Sequence, residues 1–359
     1  RKKEQNRGWW LSASTVLQYV RNAIGVSEHI INDGGGATVA ADPLAVDSML
    51  TAFDQKSWKF GHIVQGSREK TGFADIEFRV GYEWLSCTPY HLESYVGLLI
   101  PTSDKANGHM LFQPLVGNGK HWGFLFGSRA GFDVADYPDY GIHIRMEIAN
   151  HTQFLLGDHQ IRALDLKNRP WSRYLELYAD QAHAEQAALF NDVYGATPGI
   201  NILTRQVTVK PGISNTVNTA GVITWRKLHL EGGYNVYVRS ADSVSLCKPW
   251  QEGPAIKSLG GKGQTNPVRT IAGQALIEQI SVPVVDYQSS LIRESDLDLQ
   301  TATHPCTLLQ TVYGVLGYTW DTPHPLFLSA GGSYMFTNAA HATAALPRWM
   351  VWGKWGIAF

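Results

Sequence analysis

Acidic and basic side chains recur at every second position along several short stretches of this chain, each time opposite a row of apolar or aromatic residues. From Phe73 to Leu85, the residues Asp75, Glu77, Arg79 and Glu83 alternate with Ile76, Phe78, Val80, Tyr82 and Trp84. Glu93 belongs to a second such row, Arg129 and Asp133 to a third, and His143, Arg145 and Glu147 to a fourth. Glu231 and Arg239 lie in a fifth, Arg348 and Lys354 in the last. Carboxylates and cations held at fixed spacing on the wall of a water-filled space set up a transverse field, which orders water and favours small polar solutes. The competing reading has the same groups pair across a filled interior and only stabilise it.

Bond-making chemistry finds little support. The chain has no Gly-x-Ser-x-Gly elbow and no His-Glu-x-x-His helix. Its 13 His are scattered, and a lone inward His such as His143 or His229 is ordinarily just solvated. The run Gly260 to Thr265 looks superficially like a phosphate-binding loop, but its glycine spacing is wrong and Gly263 stands where Ser or Thr should follow the Lys. Cys87, Cys247 and Cys306 are an odd number without metal-type spacing. The expectation is a protein with no catalytic residues, no metal and no cofactor. A catalytic group assembled in space from several strands would leave no linear motif, so a hydrolase stands third among the readings.

The elements that must position these rows are strands, because side chains of period two alternate between the faces of a sheet. Clear candidates run from Phe73 to Leu85, Tyr90 to Ile100, Trp122 to Val134, Tyr140 to Ile148, Asn215 to Trp225, Leu228 to Val238, Leu308 to Trp320, Leu326 to Phe336 and Arg348 to Phe359. Two more are expected between Phe154 and Tyr178, and with every candidate from Trp58 onward counted the expectation is about twelve strands, with ten to fourteen as the range. Short turns at 86–89, 135–139, 226–227 and 321–325 alternate with long polar stretches at 101–120, 179–213 and 240–307. Residues 1–56 read differently: Val16, Leu17, Val20 and Ile24 have helical spacing, and a second short helix is expected from Ala45 to Phe53. This divides the chain into an N-terminal segment, 1–56, and a strand-built body, 57–359. A helix is also expected in the long stretch after Asp180.

Composition narrows the class. A net charge of -1 offers no basic surface for nucleic acid. Charged residues are 17% of the chain, below the roughly 25% usual for soluble domains. Mean hydropathy is nevertheless -0.16, and no run of 18 apolar residues supports a spanning helix. Alternating strands with one lipid-facing side reconcile the two facts.

At the C-terminus Trp349, Val351, Gly353, Trp355, Ile357 and Phe359 form one face, and Arg348, Met350, Trp352, Lys354, Gly356 and Ala358 the other. This ending resembles the C-terminal signal of Gram-negative outer-membrane β-barrel proteins, with Val351, Trp355, Ile357 and Phe359 matching and Gly353 a weak match. The resemblance implies an all-β transmembrane antiparallel barrel in the bacterial outer membrane. Its implied partners are the insertion machinery and the lipid bilayer with its lipopolysaccharide; the mixed charges add small solutes, the net charge excludes nucleic acid, and a homo-oligomer is compatible. Aromatics near strand ends, such as Trp84, Trp122, Tyr140, Trp225 and Trp320, fit headgroup-level girdles. The expected function is a porin-like channel for small polar solutes. The alternative is a structural or surface-exposed protein acting through its long loops. One disulfide is expected if any forms, Cys247 to Cys306, with Cys87 free.

Overall fold

The computed structural model describes residues 7–29, 48–87, 89–190, 196–256, 290–320, 326–337 and 347–357. Ten strands dominate it: β1 (Gly8–Ser14), β2 (Ile76–Cys87), β3 (Tyr90–Ile100), β4 (Gly123–Tyr137), β5 (Ile142–Leu155), β6 (Ser214–Trp225), β7 (Leu228–Arg239), β8 (Thr307–Trp320), β9 (Leu326–Phe336) and β10 (Arg348–Ile357). They form a single antiparallel sheet in which each strand pairs with the one before and after it in the chain. In such a meander every other connection falls on the same end. The connections of residues 88–89, 138–141, 226–227 and 321–325 are short and share one end; those of 15–75, 101–122, 156–213, 240–306 and 337–347 are long and share the other. The turn Arg226–Lys227 needs a left-handed residue, and Arg226 supplies it at φ 54°, which lets Trp225 pair directly with Leu228. Register slips by one residue at Glu83/Leu85 and at Asp133/Ala135. Both bulges lie near the short-turn end, and bulges bend a sheet there.

The main sheet has ten strands, where the sequence reading centred on twelve. Where two strands were expected between Phe154 and Tyr178, three short ones stand, Asp158–Ala163, Asp165–Leu166 and Glu176–Tyr178, and they belong to smaller sheets. The N-terminal segment is also different. Gly8–Ser14 is the first strand of the large sheet, and Leu17–Ile24 is a strand paired with Gly66–Phe73, not a helix. Val16, Val20 and Ile24 are four apart, a spacing that fits a helix face and, being even, also one face of a strand. The second helix is confined to Met49–Phe53 within the described residues. The helix after Asp180 is present as Gln181–Phe190.

Three strands of the large sheet continue beyond it at the long-connection end. Asp158–Ala163, Thr204–Lys210 and Ser243–Leu246 extend β5, β6 and β7 as a separate three-stranded sheet. They stay in phase: Gln153 pairs with Ser214, and five residues further along each chain Asp158 pairs with Val209. Around this extension the long connections build a cap with its own hydrophobic core, made of Leu164, Leu166, Leu177, Leu203, Val207, Val209, Trp250, Ile256, Ile292 and Leu297. A second small cluster joins Trp58 to Ile200, with Phe53, Phe60 and Tyr174 against it.

The large sheet reverses this economy of burial. Most of its big apolar side chains are exposed, among them Phe78, Val80, Val96, Phe126, Ile148, Leu230, Leu316 and Leu328, with Leu316 at 58%. They share one face, since they sit at alternate positions in register with one another. A polar island interrupts that face, where Asn150, Thr152 and Asn215 hydrogen-bond among themselves. Mutual satisfaction is what lets amides sit in apolar surroundings. No helix among the described residues is long and apolar enough to cross a membrane.

Candidate functional site

The opposite face of the sheet collects the charged residues that the sequence singles out. Strand alternation puts Glu77, Arg79 and Glu83 of β2 beside Glu93 of β3, Arg129 and Asp133 of β4, and His143, Arg145 and Glu147 of β5. The register then makes pairs of them. Arg129 holds Glu147 through Nη2 at 2.5 Å and Nε at 3.2 Å. Asp133 Oδ1 takes both Arg145 Nε and His143 Nε2 at 3.0 Å, and Arg145 also reaches Glu147 at 4.0 Å. Five groups of both signs thus form one chain across β4 and β5. Arg79 pairs closely with Glu77, and its guanidinium lies 5.1 Å over the Tyr95 ring.

Glu83 and Glu93 face each other directly across β2 and β3. Like charges so placed are destabilising, and His91 stands between them, 3.1 Å from Glu83 and 3.9 Å from Glu93. Glu231 of β7 accepts a hydrogen bond from the Tyr313 hydroxyl at 2.9 Å, and that hydroxyl accepts one from Asn218 at 3.0 Å. Lys354 lies on the same face of β10, opposite Ser329, and Arg348 opposite Met335.

Two expected members stand elsewhere. Asp75 is 5% exposed, at the junction between Gly66–Phe73 and β2. Its carboxylate accepts the backbone N–H of Ser103 at 3.1 Å and of Asn118 at 2.9 Å. It therefore ties down the 101–122 connection instead of facing an open space. Arg239 ends β7 and binds Asp242 at 2.5 Å, a buried carboxylate that Arg162 also approaches at 3.4 Å. That group fastens the cap to the sheet. At the same boundary Asp158 titrates below the ordinary carboxylate range: partial burial opposes this, but the Lys105 ammonium at 2.6 Å and the His159 N–H outweigh it. Of the terminal stretch, Val351 and Trp355 lie on the exposed face of β10 at 70% and 76%. Ile357 ends that strand, and Phe359 lies outside the described residues.

Sequence reasoning missed a set of aromatic rings on the charged face. Trp10, Tyr95, Tyr313, Phe327 and Trp352 each pair directly with a glycine, respectively Gly81, Gly127, Gly233, Gly356 and Gly331. A Cβ on any of these glycines would overlap the ring. The rings therefore lie down over the neighbouring strand, and two pairs of them approach, Trp10 with Tyr95 at 5.9 Å and Tyr313 with Trp352 at 6.5 Å. Tyr95 is fixed further by His151 Nδ1 at 2.7 Å from its hydroxyl. The available signal was an aromatic residue in phase with the charges and a glycine in phase on the next strand.

None of Cys87, Cys247 and Cys306 is in a disulfide, so the pairing expected if any formed, Cys247 to Cys306, is not made. Cys247 has an imidazole neighbour instead, His159. No protein-family model matches the sequence, and no curated protein matches it.

Proposed function

We propose that the ten strands close into a transmembrane barrel of a bacterial outer membrane, whose lumen passes small polar solutes by diffusion. The observation that carries this reading is the inverted distribution of the sheet: apolar and aromatic side chains exposed on one face, paired charges and hydroxyls on the other. Water cannot stabilise an apolar surface of that extent, and a lipid band can. The turn asymmetry supports it, because outer-membrane barrels have short periplasmic turns and long outer loops. By the order of the meander β1 and β10 run antiparallel, as closure requires, and both carry exposed aromatics, Trp9 and Trp349, each at 77%. The lipid bilayer with lipopolysaccharide, the insertion machinery and small solutes are the partners this reading implies.

Reconstitution of the purified protein in planar bilayers tests the function. Reproducible conductance steps are expected, with weak ion preference because both signs line the wall. One observation favours a second reading: the packed core of the cap gives the long connections a defined surface of their own, as a barrel acting through contacts with neighbours would need. A silent bilayer together with ordered arrays of the protein would favour that alternative.

Phe359 gives a second test. Deleting Phe359, or replacing it by Asp, is expected to leave the protein in the periplasm or degraded, with little folded material in the membrane. Undiminished membrane levels in a fractionation experiment would remove the terminal stretch from the argument.

A further inference from the structure

Three neighbouring strands of the cap bring a thiol, an imidazole and a hydroxyl together. His159 lies on Asp158–Ala163, Thr208 on the central strand Thr204–Lys210, and Cys247 follows Ser243–Leu246. The sulfur is 3.0 Å from His159 Nδ1. Thr208 Oγ1 is 3.2 Å from the same nitrogen and 3.4 Å from the sulfur. The backbone N–H of Cys247 donates to the Gln206 carbonyl at 3.3 Å, which fixes the thiol against the sheet. Beside it opens a cleft of about 420 Å³ lined by Cys247, Lys167, Lys248, Glu294, Leu297 and Leu299. Glu294 accepts the Trp250 backbone N–H at 2.9 Å and keeps its charge, so the lining sets two ammonium groups against one carboxylate.

We propose that Cys247 and His159 form a base-activated thiol site that exchanges with small anionic disulfides. His159 Nδ1 takes the thiol proton, and the Cys247 thiolate attacks one sulfur of the disulfide. The disulfide's S–S bond breaks as a new S–S bond to Cys247 forms. The departing thiolate takes the proton from the imidazolium, so no further oxidant enters. Lys167 and Lys248 hold the carboxylates of the incoming molecule, and Thr208 orients the imidazole. The site lies outside the large sheet, and its chemistry does not depend on whether the sheet conducts.

The test uses the full chain with one cysteine retained at a time, the other two changed to Ser, reacted with the anionic disulfide dithiobis(nitrobenzoate) and the neutral disulfide dithiodipyridine. An ordinary thiol is only a few per cent ionised at pH 7, so the Cys247 protein should react roughly ten-fold faster than the Cys306 protein, although Cys306 is the more exposed of the two. His159→Ala should remove that advantage for both reagents. Lys167→Glu with Lys248→Glu should slow the anionic reagent and leave the neutral one unchanged. Equal or faster reaction at Cys306 overturns the proposal, as does indifference to His159. Should His159→Ala fail to fold, the pH profile of the Cys247 protein decides: a rate falling below an ordinary thiol ionisation near about 8.5 overturns it, and a rate sustained well below that pH supports it.

Discussion

Val80→Arg is expected to destabilise the folded protein by about 2–4 kcal/mol in lipid vesicles, the range for a cation near the midplane of a barrel's lipid face. Val80 sits in the middle of β2, 42% exposed, paired with Leu11 on one side and Val96 on the other. An arginine there has no carboxylate within its own row. One residue away, Arg79→Gln is expected to lose less than about 1 kcal/mol, since it removes a partly exposed ion pair with Glu77. The magnitudes separate the environments, because an exposed Val on a water-facing sheet would accept Arg within about 0.5 kcal/mol. Urea titration of both variants in phospholipid vesicles measures the difference. Equal losses at the two positions would break the assignment of faces, and no loss at Val80 would break the assignment to lipid.

Leu177→Ala is expected to destabilise the cap by about 2–5 kcal/mol, the usual range for emptying a buried leucine site. Leu177 is fully buried in the core that Leu203, Val207, Trp250 and Ile292 complete. Those residues come from two long connections and the strand extension, so the lost contacts lie outside the ten-stranded sheet. Limited proteolysis should accordingly cut within 156–213 and 240–306 in the variant while the sheet stays resistant. Simultaneous loss of both would show that cap and sheet unfold as one cooperative unit.

The parts of this architecture that were legible in the sequence are the local ones. Alternation along β2 or β5 is a property of neighbouring residues, so the faces of Val80, Arg79, Ile144 and Arg145 follow from the chain itself. The meeting of Trp10 with Gly81 depends on pairing across some seventy residues, and no local pattern encodes that register. The cap core was hidden for the same reason: Leu164, Leu203, Trp250 and Ile292 are scattered over long polar stretches and become a cluster only when β5, β6 and β7 extend in phase. Asp75 was misplaced because its alternation matches β2, while strand pairing lapses at Ala74 and Asp75 and the carboxylate takes two loop N–H groups. The aromatic rings over glycine could be anticipated in any similar chain by asking which strands can place both in phase.

The order of the meander also sets a sequence of events in time. Each neighbouring pair from β2 to β3, β4 to β5 and β6 to β7 closes across a handful of residues, and such hairpins form early. Ser14 and Arg348 stand more than 330 residues apart, and pairing between segments so distant would form slowly. Until they meet, β1 and β10, the first and last strands of the described sheet, would present unpaired N–H and C=O groups that invite foreign strands. The cap lies on the far end from Gly8 and Ile357, so in the barrel reading its residues must pass the membrane plane before the two rims meet. Assembly would then have a fixed timetable, in which export of the cap precedes sealing and the last contact made is the one between the first strand and the last.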